Sequence, residues 1–392
     1  MSVINTADIR SQNKKNIIQT VRYGRPITKK EIADRLNLSF ATVSNLCNQL
    51  VEEGILSIVS SENSSGGRIP NFVSLEPNSR GILCLDLNHH DKATIALLNL
   101  QNQTIAASQV DIPPLLELGT LIESCYEASM GLLEKIKFPI EHVLGLGVAI
   151  PGIFYKKNNT VINSTISMFE NQFVKKELEE RFQLPAYLEN ESNILAVATS
   201  TQLQLSSGQR QDVAYLYVGD GLGVGITHRG AILTGNRGFG GEVSHMPIGL
   251  HPYNCYCGQV GCVETELSLA GFWRTYYGTD AVPPSTSLTF FWKEFVSALK
   301  AGDERAHQVA EEKGRLLGKL ISVIDNLIDP DVVYVGGIIE PIFQTLYLFM
   351  QEEARSRVVT REFFFPEIRK GIDYEQTLLQ GCSEMVITLW NP

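Results

Sequence analysis

The chain has 392 residues, of which 44% are hydrophobic and 19% are charged, and its net charge is −10 at pH 7. This length suggests two or three domains of about 150 residues each, and the composition excludes a disordered chain and a collagen-like fibre. The sequence contains no apolar leader of signal-peptide length and no run of roughly 20 apolar residues. We therefore expect a soluble cytoplasmic protein that makes no membrane contact.

The charge is unevenly distributed along the chain. Residues 1–51 contain eight basic and three acidic side chains, a net charge of +5, so the remaining residues sum to −15. A surface that binds nucleic acid needs clustered Lys and Arg side chains. The sequence therefore predicts a basic head on an acidic body.

The head has the pattern of a helix-turn-helix unit. An amphipathic run at residues 16–23 is followed by a second predicted helix that starts at Thr28, where Thr28 and Glu31 have the spacing of a capping box. After a turn at residues 37–38, Ser39 is predicted to cap a third helix, whose apolar positions recur at i, i+3, i+4 and i+7. Two helices joined by so short a turn are typical of a unit whose second helix enters the DNA major groove.

The third helix carries small and amide side chains opposite its apolar stripe, and these can approach base edges without bulk. Two short strands, predicted at residues 55–59 and 71–75, enclose a Gly-rich loop with Arg68 at its tip, as expected for a wing that reaches phosphates or a minor groove. The alternative is a three-helix protein-interaction unit with a solubilising hairpin. The predicted DNA-binding residues are Thr28, Ser39, Ala41, Thr42, Ser44, Asn45, Asn48 and Arg68.

The rest of the sequence predicts an α/β body made of two related halves. Strands are predicted near residues 81–87, 92–100, 103–110 and 143–150, and again near 213–218, 223–228, 231–233 and 332–335, with a helix at 116–137. Strands followed by helices, twice along the chain, are typical of a two-lobed fold with a cleft between the lobes. We expect a DNA-binding domain at residues 1–75, a linker at 76–80, and lobes at 81–200 and 201–392.

Three of the seven cysteines are crowded into eight residues. With a preceding histidine they form the pattern His-x9-Cys-x-Cys-x4-Cys, at His245, Cys255, Cys257 and Cys262. Intervening glycines permit tight turns, and three thiolates with one imidazole suit a closed tetrahedral Zn²⁺ site, one per chain, with a structural role. The alternative is a set of buried free cysteines, which pack as small hydrophobic side chains.

Several segments resemble the ROK family, which groups bacterial repressors with sugar kinases on an actin-like, ribonuclease-H-like fold. The matching segments are Gly-Val-Ala-Ile-Pro-Gly at 147–152, Glu-Asn-Glu-Ser-Asn at 189–193, Gly-Asp-Gly-Leu-Gly-Val-Gly at 219–225, Gly-Glu-Val-Ser-His at 241–245 and the cysteine segment at 255–264. The resemblance covers nearly the whole chain, and the winged head places the chain with the repressors of the family. The Glu-Asn-Glu context is similar to that of its xylose-type repressors.

The resemblance also implies a set of sugar-binding residues. In the kinases of the family, the positions of four of these residues hold sugar hydroxyls, and a fifth is the usual position of the catalytic Asp. A sixth is a weaker candidate, since the spacing around it departs from the family pattern. These residues are Asn190, Glu242, His245 and Glu264, then Glu191, and last Asn163. The alternative for each carboxylate is an ordinary solvated charge.

The phosphate-binding turn of the kinases, Asp-x-Gly-Gly-Thr after the first strand, is different here. Asp86 and Leu87 are followed by Asn88, His89 and His90, so side chains take the space where backbone N–H groups would meet phosphate. We therefore expect no enzymatic activity.

The predicted function is that of a sugar-responsive repressor of carbohydrate metabolism genes. A monosaccharide bound between the lobes would release double-stranded operator DNA, and a palindromic operator implies a homodimer or tetramer. Two alternatives use the same residues. One is an active sugar kinase with a DNA-binding appendage, and the other is a regulator whose DNA binding is strengthened by sugar.

Overall fold

The structure is a computed structural model, which describes residues 6–22, 26–60 and 71–392. The chain divides into two compact units, and each is described by itself. The first unit consists of Met1–Val148, Lys175–Leu188 and Cys382–Pro392, and the second of Ala149–Val174 and Glu189–Gly381. These divisions fall at other points than the boundaries predicted above, which stay predictions.

The first unit begins with three helices and a three-stranded sheet. Its elements are α1 (Thr6–Arg22), β1 (Ile27–Thr28), α2 (Lys29–Leu36), α3 (Phe40–Glu52), β2 (Leu56–Ser60) and β3 (Asn71–Leu75). Strand β3 lies between β1 and β2 and is antiparallel to both. The predicted helices and wing strands are confirmed. Helix α1, however, starts ten residues before the predicted run. The prediction misses these ten residues because they are mostly polar and carry no apolar repeat. Arg68 and the predicted wing loop lie outside the described residues.

Local side-chain chemistry fixes the ends of α2 and α3. The Thr28 hydroxyl accepts a hydrogen bond from the Glu31 N–H, and the Glu31 carboxylate accepts one from the Thr28 N–H, so the capping box is complete. Asn37 ends α2 in the left-handed conformation at φ 52°, which asparagine tolerates. The Ser39 hydroxyl then accepts from the Thr42 N–H at 3.1 Å and starts α3. These caps turn the chain sharply between the two helices.

The remaining described elements form two five-stranded sheets, one two-stranded sheet and several helices. In chain order they are β4 (Gly81–Asp86), β5 (Lys92–Asn99), β6 (Thr104–Asp111), α4 (Leu118–Ile136), β7 (Val143–Ile150), β8 (Ile153–Tyr155), β9 (Thr160–Ile162), α5 (Val174–Phe182), β10 (Ala186–Asn190), α6 (Glu191–Ser207), β11 (Val213–Val218), β12 (Leu222–His228), β13 (Ala231–Ile232), α7 (Leu269–Tyr277), α8 (Ser285–Lys300), α9 (Glu304–Ile328), β14 (Val332–Gly337), α10 (Phe343–Arg357), β15 (Glu367–Lys370) and α11 (Tyr374–Leu389).

The two larger sheets repeat one strand order. The first is ordered β10-β7-β4-β5-β6 and the second β13-β12-β11-β14-β15. In both, an antiparallel meander of three strands is extended on the side of its first strand by two strands that come later in the chain. This repeat confirms the prediction of an α/β body built from two related halves.

Close backbone approach positions two helices of the second unit. A Cβ atom at Gly225 on β12 would lie 2.0 Å from the Ser192 carbonyl oxygen on α6, so only glycine lets that helix pack there. On α9, Gly314 and Gly318 face the backbone of α10 in the same way. The first residues of α6, next to Asn190 and Glu191, therefore lie against β12.

Among the described residues, every helix is too short or too polar to cross a bilayer.

Candidate functional site

A loop of the second unit, between β13 and α7, gathers the predicted metal ligands. The Cys255 N–H donates to the Gln259 carbonyl at 2.8 Å, and the Gly258 N–H donates to the Cys255 carbonyl at 3.0 Å. Gly258 and Gly261 have φ values of 87° and 79°, which glycine adopts without strain. These two turns fold the cysteine segment back on itself.

The four predicted metal ligands come together in the structure. One ligand atom each of His245, Cys255, Cys257 and Cys262 lies within 4.8 Å of all the others. The Cys255 sulfur is 3.5 Å from the His245 Nδ1, and the sulfurs of Cys257 and Cys262 are 3.6 Å apart. The cluster can hold a metal ion, and its chemistry, three sulfurs and one imidazole, is that of a soft-ligand site.

An acidic side chain lies beside the histidine of this cluster, and a second acidic residue precedes the histidine by three positions. The Glu264 carboxylate is 3.4 Å from the His245 Nδ1 and accepts a hydrogen bond from the Leu222 N–H at 3.4 Å. Burial raises the pKa of Glu264 to about 7. Burial, and then the negative charges of Glu264 and Glu189, also raises the pKa of Glu242 to about 7. Carboxyl groups of this kind can accept or donate hydrogen bonds near neutral pH.

The start of α6 supplies further polar groups. Asn190 caps the helix, because its side-chain oxygen accepts from the Asn193 N–H at 2.9 Å. The Glu191 carboxylate accepts a hydrogen bond from the Tyr374 hydroxyl at 2.8 Å. Glu189 is buried and accepts from the Asn193 side chain at 3.1 Å, and burial raises its pKa.

Asn163 has a different setting from the other predicted sugar residues. It follows β9, it is exposed, and its φ of 53° places it in the left-handed region. This conformation accounts for an asparagine at the turn without any ligand. Its assignment to a sugar site stays a prediction.

In the turn after β4, in the first unit, the residues that follow Asp86 contact its carboxylate. One oxygen of the buried Asp86 accepts hydrogen bonds from the N–H and the side-chain amide of Asn88, at 3.0 and 2.9 Å. The His89 Nε2 lies 3.4 Å from the other oxygen. Side chains thus fill this turn.

The outward face of α3 is the candidate nucleic-acid interface. Val43, Leu46, Cys47 and Leu50 are buried, as predicted. The opposite residues Ala41, Thr42, Asn45 and Asn48 are exposed, and Ser44 is half-buried. Asn48 accepts a hydrogen bond from the Lys29 ammonium at 2.6 Å, which brings a positive charge beside this face.

Sequence reasoning missed Glu189 and Tyr374, which contact residues of these sites, and Glu384, which forms an ion pair with Arg22 at the end of α1. Glu189 precedes the predicted Asn190 but reads as an ordinary strand residue, and only its burial marks it. Tyr374 and Glu384 are on α11, far in sequence from the residues they contact. Periodicity and spacing carry no signal for such distant pairs.

Comparison with known proteins gives consistent matches over the whole chain. The sequence profile of the ROK family matches residues 83–377, and that of a winged helix-turn-helix DNA-binding domain matches residues 10–57. The chain is similar to the xylose repressor of Caldicellulosiruptor bescii, with 26% identity over 96% of this chain and 95% of the relative. It is also similar to the DNA-binding transcriptional dual regulator NagC of Escherichia coli, with 27% identity over 81% of this chain and 77% of the relative.

A solved structure resembles the full length of the chain. The crystal structure of a ROK family transcriptional regulator, a homologue of the Escherichia coli MLC protein, superposes with a TM-score of 0.78 at 18% identity. The alignment covers 97% of this chain and 100% of that one. This likeness shows that the fold is that of a winged head on a ROK body.

Proposed function

The chain belongs to the ROK family, and from this premise we propose that it is a sugar-responsive DNA-binding repressor of carbohydrate metabolism genes. The observation that carries the proposal is the joining of a winged helix-turn-helix head to a ROK body in one chain. The relatives named above are transcriptional regulators, and one of them is named for the sugar xylose. The proposed effector is therefore a monosaccharide that the binding experiments below would identify.

On the DNA side, we propose that α3 enters the major groove. Its exposed amides at Asn45 and Asn48 are suited to base edges, where Asn pairs well with adenine. The caps Thr28 and Ser39 lie at helix N-termini, where hydroxyls and N–H groups meet phosphates, and Arg68 of the wing would add a phosphate or minor-groove contact. A two-fold operator would be read by a homodimer or tetramer.

On the sugar side, we propose that Asn190, Glu191, Glu242, His245 and Glu264, with Asn163 as a weaker candidate, contact the monosaccharide. Support comes from Glu242 and Glu264, whose near-neutral pKa values let each carboxyl donate or accept a hydrogen bond. Vicinal hydroxyls need both kinds of partner. The negative charges of Glu264 and Glu189 contribute to the raised pKa of Glu242, which further supports a shared site for these carboxyls.

We further propose that the metal is a structural Zn²⁺. A tetrahedron with Zn–S bonds of about 2.3 Å has edges of about 3.8 Å, and slightly shorter ones to an imidazole nitrogen. The separations of 3.6 Å between Cys257 and Cys262 and 3.5 Å between Cys255 and His245 fit this geometry. The Nδ1 of His245 lies beside the Cys255 sulfur, and its Nε2, which is 3.5 Å from the Tyr256 hydroxyl, is the nitrogen proposed to meet a sugar hydroxyl. The bound ion would supply charge and rigidity to the loop.

We propose no catalytic role for the chain. Support comes from the turn after β4, where Asn88 and His89 contact Asp86 in the space that backbone N–H groups would need to hold phosphate. Asp86 would then only stabilise this turn and would take no part in binding phosphate.

A coupled assay of ADP production over a panel of monosaccharides distinguishes the repressor from an active kinase. The proposal expects background rates with every sugar, and turnover at ordinary kinase rates would reject it. Gel-shift titration of the operator with and without sugar then decides the sign of the response. Release by sugar supports the repressor, whereas tighter binding supports the alternative regulator.

A further inference from the structure

Helix α11 has residues in both compact units. It begins at Tyr374 in the second unit, and its residues from Cys382 onward belong to the first. Each end makes a polar contact within its own unit. The first contact involves a residue of the proposed sugar site, and the second involves the DNA-binding head.

At its N-terminal end, α11 is bound to the proposed sugar site through one hydroxyl. Tyr374 donates to the Glu191 carboxylate at 2.8 Å, and its ring packs on Tyr217 with centroids 5.1 Å apart. The Glu191 oxygen that accepts this bond is the kind of acceptor that a sugar hydroxyl seeks. Tyr374 and a bound sugar would therefore compete for the same oxygen.

Between its ends, α11 packs closely on α6, the helix that starts with Glu191. A Cβ atom at Gly381 would lie 2.4 Å from the Ile194 carbonyl oxygen, so the two backbones touch. The Gln202 amide donates to the Gln380 side chain at 2.7 Å. Packed helices of this kind shift between discrete arrangements rather than deform continuously.

At its C-terminal end, α11 holds the head by a buried ion pair. The Glu384 carboxylate is 2.7 Å from the Arg22 guanidinium, and the two side chains are 5% and 2% exposed. Asn102 donates to the same Glu384 oxygen at 3.0 Å, and Arg22 also donates to the Leu100 carbonyl. Arg22 is the last residue of α1, the first helix of the head.

The rest of α1 is bound to the same C-terminal segment. The Lys15 ammonium donates to the Thr388 carbonyl, and the Ser11 hydroxyl donates to the Pro392 carbonyl at 3.2 Å. A buried ion pair adds little net stability, since desolvation offsets its attraction, but it becomes strongly unfavourable when one partner withdraws. The Arg22–Glu384 contact is thus suited to fix one position of the head relative to the end of α11.

We propose that α11 transmits the sugar signal to the DNA-binding head, with Tyr374 as the residue that positions Glu191 and Glu384 as the anchor of α1. The inference rests on the proposed function. A sugar hydroxyl at Glu191 displaces the Tyr374 hydroxyl, the first turn of α11 shifts, and the Arg22–Glu384 contact is altered at the other end. Linkage makes the effect reciprocal, so operator DNA weakens sugar binding by the same factor.

The test uses the full chain in four variants. Tyr374→Phe removes one hydroxyl and keeps the ring, and Glu384→Gln removes the charge of the anchor. The matched controls are Tyr347→Phe, whose ring packs on Phe343 within α10, and Glu123→Gln, which breaks a more exposed ion pair with Arg181 in the first unit.

Two quantities are measured for each variant. Calorimetry without DNA gives the Kd of the monosaccharide that a thermal-shift panel identifies. Anisotropy gives the Kd of an operator selected from random duplexes, without sugar and at saturation. The ratio of the two operator Kd values is the coupling factor, and we expect about 5–150 for the unaltered chain. Tyr374→Phe is expected to bind sugar several-fold more tightly, and both relay variants should reduce the coupling factor at least about fivefold.

The outcomes separate the two proposals. If the unaltered chain binds no sugar, or its coupling factor is one, the proposed function fails and the relay fails with it. If that chain couples but Tyr374→Phe retains its coupling factor within twofold, the repressor stands and the relay is overturned. If Glu384→Gln is unfolded at the assay temperature, the coupling factor of Tyr374→Phe alone tests the relay. That variant is expected to fold, because it removes only a hydroxyl. Equal loss of coupling in the controls also overturns the relay.

Discussion

The turns that follow the first strand of each sheet differ, although the two sheets share one strand order. After β4, Asn88 and His89 fold back on Asp86 and fill the turn. After β11, the chain keeps Gly219, Gly221 and Gly223. The two sheets therefore share a strand order but carry different residues in the turns that follow their first strands.

The glycines of the β11 turn are explained by side chains that press against them. A Cβ atom at Gly221 would lie 2.8 Å from a Glu264 carboxylate oxygen, and one at Gly219 would lie 2.9 Å from the Tyr217 ring. At Gly223 the close neighbour is the Ser192 side chain, at 2.9 Å. In the proposed function, the β4 turn can no longer hold phosphate, because side chains fill it. The β11 turn, by contrast, leaves space for the Glu264 carboxylate, which is proposed to bind sugar.

Loss of the proposed Zn²⁺ ion is expected to have the largest effect on the second of these regions. Cys262→Ser, or dialysis against a chelator, unties the loop that bears His245 and Glu264. We expect the melting temperature to fall by about 6–12 °C, equivalent to roughly 3 kcal/mol, and sugar binding to be lost. Calorimetry and metal analysis check this. Cys125→Ser, in α4, is the control, and full sugar affinity in a metal-free protein would contradict the account.

The next largest effect is expected from removing one carboxylate beside the β11 turn. Glu264→Gln keeps the shape of the side chain but loses a charged hydrogen-bond acceptor. The free energy of sugar binding should weaken by about 1.5–3 kcal/mol, a roughly 10–150-fold rise in Kd. Glu367→Gln, in an exposed pair with Arg369, should leave the Kd unchanged. A Glu264→Gln protein that binds sugar normally would remove this residue from the site.

A smaller effect on sugar binding is expected from replacing Gly221 of the β11 turn. Gly221→Ala places a methyl group against the Glu264 carboxylate, which must shift by a few tenths of an ångström. Sugar affinity should fall several-fold, by about 1 kcal/mol, as measured by calorimetry. Gly131→Ala in α4, where the added methyl group meets open space, serves as the control. Equal sugar affinity in the two variants would show that the close contact at Gly221 has no functional meaning.

The smallest effect on function, none at all, is expected in the first region. The double variant Asn88→Gly, His89→Gly restores two glycines to the β4 turn but leaves Glu191 bonded to Tyr374. Its stability should fall by about 1–2 kcal/mol from the added chain entropy. ADP production should stay at background with every sugar. Turnover in this variant would show that the β4 turn alone separates the chain from the kinases.

The sequence predicted most of the fold because its signals are local. Helix caps at Thr28 and Ser39, the apolar stripe of α3, and strands such as β7 and β11 follow from spacing over a few residues. The cysteine cluster was predictable for the same reason, since its ligands occupy only 18 residues of the chain. Local patterns are the kind that periodicity and capping rules detect.

The remaining features depend on contacts between distant parts of the chain. Strand β1 has only two residues and forms because β3 lies beside it. The bond between Glu191 and Tyr374 joins residues 183 positions apart, and the ion pair of Arg22 and Glu384 joins residues from opposite ends of the chain. Neither pairing leaves a repeat or a motif, so only the folded structure reveals them.

The most direct test of the central claim is a titration of the operator complex with the effector sugar, followed by anisotropy at fixed ionic strength. The account predicts that the operator Kd rises at least about fivefold at saturation, and that the sugar Kd rises by the same factor when operator is bound. An operator Kd that is unchanged at saturating sugar, in a protein that binds that sugar, would contradict it.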